Sequence, residues 1–498
     1  MEIGQVYLWN GQTDSARYCF LRAARMSDGR PPILTRVTEA YQKLGHYSLE
    51  KEFIDSARVW FKNPVLLAGP MGDALAGQTD YAGATREYLA YMNEDSVAAE
   101  YGAGKIIALI QYPESAEKVI AVIGEALKQQ VREPRLANVY AQALIEQDRY
   151  GEAFDFFRQR DSALSRSGSD LLYFMQECRR RGRNDYIVTA GSYFLEKYPS
   201  SGLAVPARFF LIDGLIGLGQ YAEAEKLLDS LLPSTRTSDR AEALMKAGVL
   251  HKNYLNGPDT AETLLRSAIR MIPGSRFEID ARLELADLFI RQRRLDSAIA
   301  AYDTLLARDL PDEKAEKAAF LRAETFLFKG EYDQATESFR GLIRRYPRGM
   351  YVNDAIQVGM ILDEALEEAP KQMDLLSQAE YFRYVGRADS LEYYLTKICR
   401  IDIPGLAPVA YLRLGDLWSG QNRFPEAIAA ADSLVGKYPE SYFAPFGLKL
   451  KADILWLDPQ TKDQAAGIYR SLLEQYGTYP FAAEIRDRLR RPDLPSRS

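Results

Sequence analysis

The stretch Ala323–Pro347, AETFLFKGEYDQATESFRGLIRRYP, decides how the rest of the chain is read. Ala323, Phe326, Tyr332, Ala335, Phe339 and Leu342 recur at helical spacings, and Pro347 closes the run. Offsets of three and four put these residues on one stripe of each of two helices, with KGEYD (Lys329–Asp333) as the turn between them. Alanine stands in two slots where a larger apolar residue would bury more surface. That choice implies a close crossing of two helices, where size is excluded.

The same template repeats. Its small residue returns as Ala224, Ala261, Ala298 and Ala335, each 37 residues after the last, and then as Ser390 and Ala427, again 37 apart. Weaker matches fall at Ala16, Ala57, Ala84, Ala116 and Ala153. Twelve residues before an anchor comes a small or apolar residue (Ala286, Ala323, Gly415), and three further on an aromatic (Phe289, Phe326, Trp418). A period of this order predicts a stacked, all-α architecture. The links between repeats share a plan as well. YPSSGLAVPA (Tyr198–Ala207), IPGSRFEIDA (Ile272–Ala281), YPRGMYVNDA (Tyr346–Ala355) and YPESYFAPFG (Tyr438–Gly447) each have Pro to stop one helix, Ser or Gly to turn, and an apolar residue to start the next.

This pattern resembles the tetratricopeptide repeat (TPR). The resemblance implies an α-solenoid, a right-handed superhelix of stacked TPR-like helical hairpins, roughly a dozen in number. The links resemble repeats of bacterial envelope proteins of the BamD and CpoB type, mainly over residues 205–491. Four segments are expected: divergent repeats at 1–204, regular ones at 205–350, an inserted helical segment at 351–388, and further repeats at 389–498 with a terminal helix and Pro-rich tail. The insertion follows from the 55 residues between Ala335 and Ser390, one period plus room for one more helix, broken at Pro370. Met1–Ala24 reads as a hairpin whose first helix is already under way. An upstream leader would imply a periplasmic or outer-membrane-associated protein, and its absence the cytoplasm.

Composition narrows the function. Of 498 residues 47% are apolar, enough for a continuous core, and a net charge of −6 argues against nucleic acid as the main partner. No apolar run approaches the length of a membrane span. Cys19, Cys178 and Cys399 are too scattered for a metal or disulfide framework and are expected as buried apolar residues; His46 and His251 have no partners for a metal or a catalytic base. No cofactor is expected. YGAGKII (Tyr101–Ile107) lacks the first Gly and the Ser/Thr of a phosphate loop, so Gly104 is read as a helix-contact residue, as is Gly72. ESYF (Glu440–Phe443) resembles the Glu-Ser signature of lytic transglycosylases, but Glu440 takes a variable turn position held by Ser200, Gly274 and Arg348 in sister repeats.

A non-catalytic scaffold for peptide segments or folded protein partners is therefore expected. In TPR repeats the first helix of each pair lines the concave face, and the position after its small residue points into the groove. Here that position holds Asp73, Asp213, Asp287, Glu324, Asp416 and Asp453, interrupted by Leu250 and Ala379: either an acidic strip for a basic partner or acids that are solvated or bonded locally. YFRY (Tyr381–Tyr384) and YYL (Tyr393–Leu395) add aromatics as either interface or extra core. The alternatives are a glycan-recognising arm of a cell-wall enzyme and a cytoplasmic regulatory adaptor. The family's chaperone-tail clamp is disfavoured, because Leu283, Phe320 and Leu412 occupy the corresponding inner positions.

Overall fold

Small-residue crossings and Pro-led links produce helices throughout the computed structural model, which describes residues 1–28, 30–111, 114–129, 133–234 and 236–490. Twenty-eight α-helices and one short 3-10 helix, with no strand, make up the regular structure of the described residues. The Pro-rich tail lies outside them.

Two compact units divide the chain, Met1–Leu227 and Leu228–Ser498. Within the first, consecutive helices pack in chain order from Glu2–Trp9 to Ala204–Gly217 over a core running from Leu8 to Ala207. The second packs likewise from Thr237–Asn253 to Ala482–Arg490.

The hairpin of the opening stretch shows why the repeats form. Its first helix, Asp312–Lys329, carries acids in its first turn and ends at Gly330, whose φ of 84° a residue with Cβ would resist. Its second, Tyr332–Arg345, buries Ala335, Phe339 and Leu342 and ends in two arginines that complement the helix dipole. Ala323 and Ala335 have no exposed surface. At the equivalent Gly415 an added Cβ would sit 2.5 Å from Leu450, and at Gly72 it would sit 2.4 Å from the ring of Tyr88. Gly104 is different: nothing lies near its missing Cβ. The close approach falls at Gly102 instead, against Met92 and the Tyr88 carbonyl, because register drifts in this part of the chain. Cys178 is buried, but Cys19 and Cys399 are only partly so.

Buried carboxylates fasten the links. Ser275 caps Arg276–Arg291, and Glu278 accepts the Gly274 N–H at 2.5 Å together with Arg282 and, from the link after the next helix, Arg308. Glu316 accepts the N–H groups of Met350 and Tyr351 in the following link.

The irregular segment consists of an inserted helix, Val352–Glu368, a 3-10 turn at Pro370–Gln372, and a return helix, Met373–Tyr384. The inserted helix packs on Tyr332–Arg345 as the first helix of another repeat would. The return helix instead packs on Asp312–Lys329 and on Ala388–Ile401. It adds side-chain donors to carbonyls at two helix ends, where Leu327 and Ile290 already accept the N–H groups of Gly330 and Arg293. The Ser377 hydroxyl donates to Leu327 at 2.8 Å, and the Tyr381 hydroxyl donates to Ile290 and Arg291 at 3.3 and 3.4 Å. Arg293 lies over the Tyr381 ring and donates to Gln378. Tyr381 is thus core; Tyr393, at 61% exposure, is not.

Candidate interaction surface

Each acid of the strip follows a tightly packed position on a first helix, so its carboxylate emerges beside the neighbouring hairpin. The residues it meets there differ in a regular way.

Asp73, on Ala68–Gly77, accepts the Tyr88 hydroxyl at 2.7 Å, Lys105 Nζ at 2.7 Å and the Tyr101 hydroxyl at 3.2 Å. It lines two clefts, of about 490 and 610 Å³. Asp453, on Ala444–Leu455, repeats the arrangement with Tyr469 at 2.5 Å, Lys449 at 2.8 Å and Arg488 at 2.7 Å. Tyr88 and Tyr469 stand four residues after the anchors Ala84 and Ala465. In these two hairpins the anchor-plus-four tyrosine donates to the acid of its own hairpin, while a cation from the next repeat pairs with that acid; Tyr302, at the same position in the Asp287 hairpin, does not.

Asp287, on Arg276–Arg291, has the cations but takes its hydroxyl from elsewhere. Lys252 and Arg291 pair with it, and the Tyr384 hydroxyl of the return helix donates at 2.7 Å. Burial alone would raise its pKa, but Lys252, Tyr384 and Arg291 together hold it below the usual carboxylate range. Asp213 pairs with Arg179 at 3.7 Å in the first unit.

Glu324 and Asp416 have no such hydroxyl, because their hairpins place Phe339 and Ala431 four residues after the anchor. Glu324 has a side chain only 7% exposed, and its one ion-pair partner is Arg383 at 3.5 Å. Burial pushes its carboxyl up to about 7, against the pull of Arg383 and Arg413. Asp416 is accessible but surrounded by protein. That desolvation raises its pKa, opposed by Arg413 and Lys449.

The strip is therefore not a uniform negative wall. Asp73, Asp287 and Asp453 are built into ladders of acid, hydroxyl and cation, whereas Glu324 and Asp416 keep unused acceptor capacity. Sequence reading placed the acids but not these partners, although the anchor-plus-four residue was the available signal. Leu283, Phe320 and Leu412 are buried. Glu440 is exposed in the turn before Ala444–Leu455, outside any apolar enclosure of the kind a general acid needs.

Comparison with known proteins defines the class. Two tetratricopeptide-repeat models match, at residues 283–349 and 409–441. This chain accordingly carries tetratricopeptide repeats, and it is an all-helical repeat protein of the kind suited to protein–protein interaction. No curated protein matches it. Among solved structures it is similar to a tetratricopeptide repeat protein from Parabacteroides merdae, with 16% identity, 58% of this chain and 98% of the other covered, and a TM-score of 0.28. It is also similar to human IFIT1, with 15% identity, 76% and 93% covered, and a TM-score of 0.35. Apo RapI is a third, with 15% identity, 66% and 95% covered, and a TM-score of 0.37. Among the described residues no helix is long and apolar enough to cross a membrane.

Proposed function

We propose that this protein is a non-catalytic scaffold that holds partner polypeptides against the first-helix faces of its repeats. The observation that carries the reading is the composite nature of those faces. At Asp73, Asp287 and Asp453, acid, hydroxyl and cation come from different helices, so each recognition position exists only when neighbouring repeats are stacked. Rigid helices hold these groups without a further ordering cost, which favours binding of an extended or folded partner. The acidic positions Asp73, Asp213, Asp287, Glu324, Asp416 and Asp453 favour a partner with basic groups. The Pro-led links favour a cell-envelope setting, and a secretion leader encoded upstream of Met1 is the observation that tests it.

A photo-crosslinking amino acid tests the scaffold reading. Placed at Tyr101 or Asp354 on the first-helix side, it is expected to capture the same partner in cells. At Glu337, exposed on a second helix, it is expected to capture none. Equal capture from all three positions, or none from any, would overturn the reading.

A further inference from the structure

The inserted and return helices together border a space of their own. Between Asp312–Lys329, the inserted helix, the return helix and Ala407–Gly420 lies a cavity of about 390 Å³, lined by Phe320, Glu324, Asp354, Val358, Arg383 and Arg413 among others. Its charges do not balance. Glu380, buried behind it, accepts Arg383 Nε at 2.7 Å on one oxygen and pairs by charge alone with Arg413, 2.6 Å from the other, without hydrogen-bond geometry. Two guanidiniums are thus anchored on one carboxylate, and two further carboxylates, Glu324 and Asp354, remain. With Glu324 ionised, the set is one positive charge short.

That shortfall is felt at Glu324. Among the described residues no hydrogen bond reaches its carboxylate: Arg383 stays at 3.5 Å and Phe339 offers no hydroxyl. A buried carboxylate without a donor is costly, so a donor entering the cavity gains what the fold withholds. An anion would find two guanidiniums already engaged by Glu380 and would deepen the negative excess. A cation corrects it, and the aromatic ring of Phe320 on the cavity wall suits a cation further.

We propose that this cavity is a subsite for one cationic group, an ammonium or guanidinium, accepted by Glu324 with Asp354 at the mouth. The group is a lysine or arginine side chain of a polypeptide partner or the amine of a free polyamine. Only the first source rests on the scaffold reading.

Calorimetric titration of the full chain with four probes tests the subsite: Ac-Gly-Arg-Gly-NH2, Ac-Gly-Lys-Gly-NH2, spermidine, and Ac-Gly-Glu-Gly-NH2 as the anionic control. Saturable one-to-one binding of the cationic probes is expected, weakened about tenfold in Glu324→Gln, with no binding of the control. Tighter binding of spermidine than of the peptides identifies a polyamine site, and the reverse order a side-chain site. Asp354→Asn changes an exposed residue and preserves the fold if Glu324→Gln does not; it is expected to weaken the cations about twofold to threefold. Failure of every cationic probe to saturate, affinities unchanged in both variants, or preference for the glutamate peptide would each overturn the proposal. If crosslinking captures a partner equally with wild type and Glu324→Gln, the partner side chain falls as the occupant and the scaffold stands.

Discussion

Glu50 and Glu278 are both buried glutamates, and their neighbours drive them in opposite directions. Around Glu50, burial pushes the carboxyl from its ordinary 4.5 up to about 8; the Gln42 amide, donating at 2.7 Å, opposes this and Asp73 adds to it. Around Glu278, Arg308 above all, with the Gly274 N–H and Arg282, holds the carboxyl at about 2 against burial. The stability that follows has opposite signs. A pKa raised on folding favours the protonated folded state, so the stability linked to Glu50 is complete below about pH 4.5 and is lost as pH rises through 8. A depressed pKa does the reverse, so that linked to Glu278 is complete above about pH 4.5 and is lost as pH falls toward 2. Urea midpoints measured across pH should show Glu50→Gln flattening the wild-type decline between pH 5 and 8. Glu278→Gln should lower the midpoint at pH 7, with the gap to wild type closing in acid. Parallel curves for either variant and wild type would contradict the assignment of that residue. Legibility at this scale is uneven. The acids of the strip can be placed from the period alone, since the slot after a contact residue is a fixed direction on a helix. Their partners depend on side chains elsewhere: a tyrosine four residues past the anchor serves Asp73 and Asp453 but not Asp287, and the cations lie up to one repeat away. The Tyr384–Asp287 bond joins residues 97 apart, a distance no short-range periodicity spans.

Helices in this protein are defined by where size is forbidden. Ala323, Ala335, Gly415 and Gly72 could be read as crossings because their spacing is regular, whereas Gly104 misled because two glycines stand within three residues and the register had slipped. An inserted helix was expected from surplus length broken at Pro370, and a helix, Val352–Glu368, ends just before that proline. The return helix's course was not legible, because its hydroxyls bond to carbonyls of Leu327, Ile290 and Arg291, which lie on other elements. This gives the return helix a measurable part in the second unit. Tyr384→Phe keeps the ring beside Phe328 but removes the donor to Asp287. The expected cost is about 1.5–3 kcal/mol in the unfolding of that unit, as for hydrogen bonds to charged groups. An unchanged unfolding midpoint would mean that Lys252 and Arg291 alone satisfy Asp287.

Stacked repeats hold together by contacts between neighbours, so their stability is a sum over adjacent interfaces and damage stays local. Within each unit the helices pack in chain order, and the return helix is the main place where the second unit reaches back past its immediate neighbour. The candidate binding faces inherit this property, because each acid depends on the hairpin beside it. Hydrogen exchange on Ala335→Leu tests that claim directly. The larger side chain overpacks a position with no exposed surface and should cost about 1–3 kcal/mol. Faster exchange is predicted in Asp312–Lys329 and Tyr332–Arg345 and in the helices packed on them, Leu295–Leu306, Val352–Glu368 and Met373–Tyr384, with Ala68–Gly77 unchanged. Uniform loss of protection through both units, or none in the altered hairpin, would contradict it.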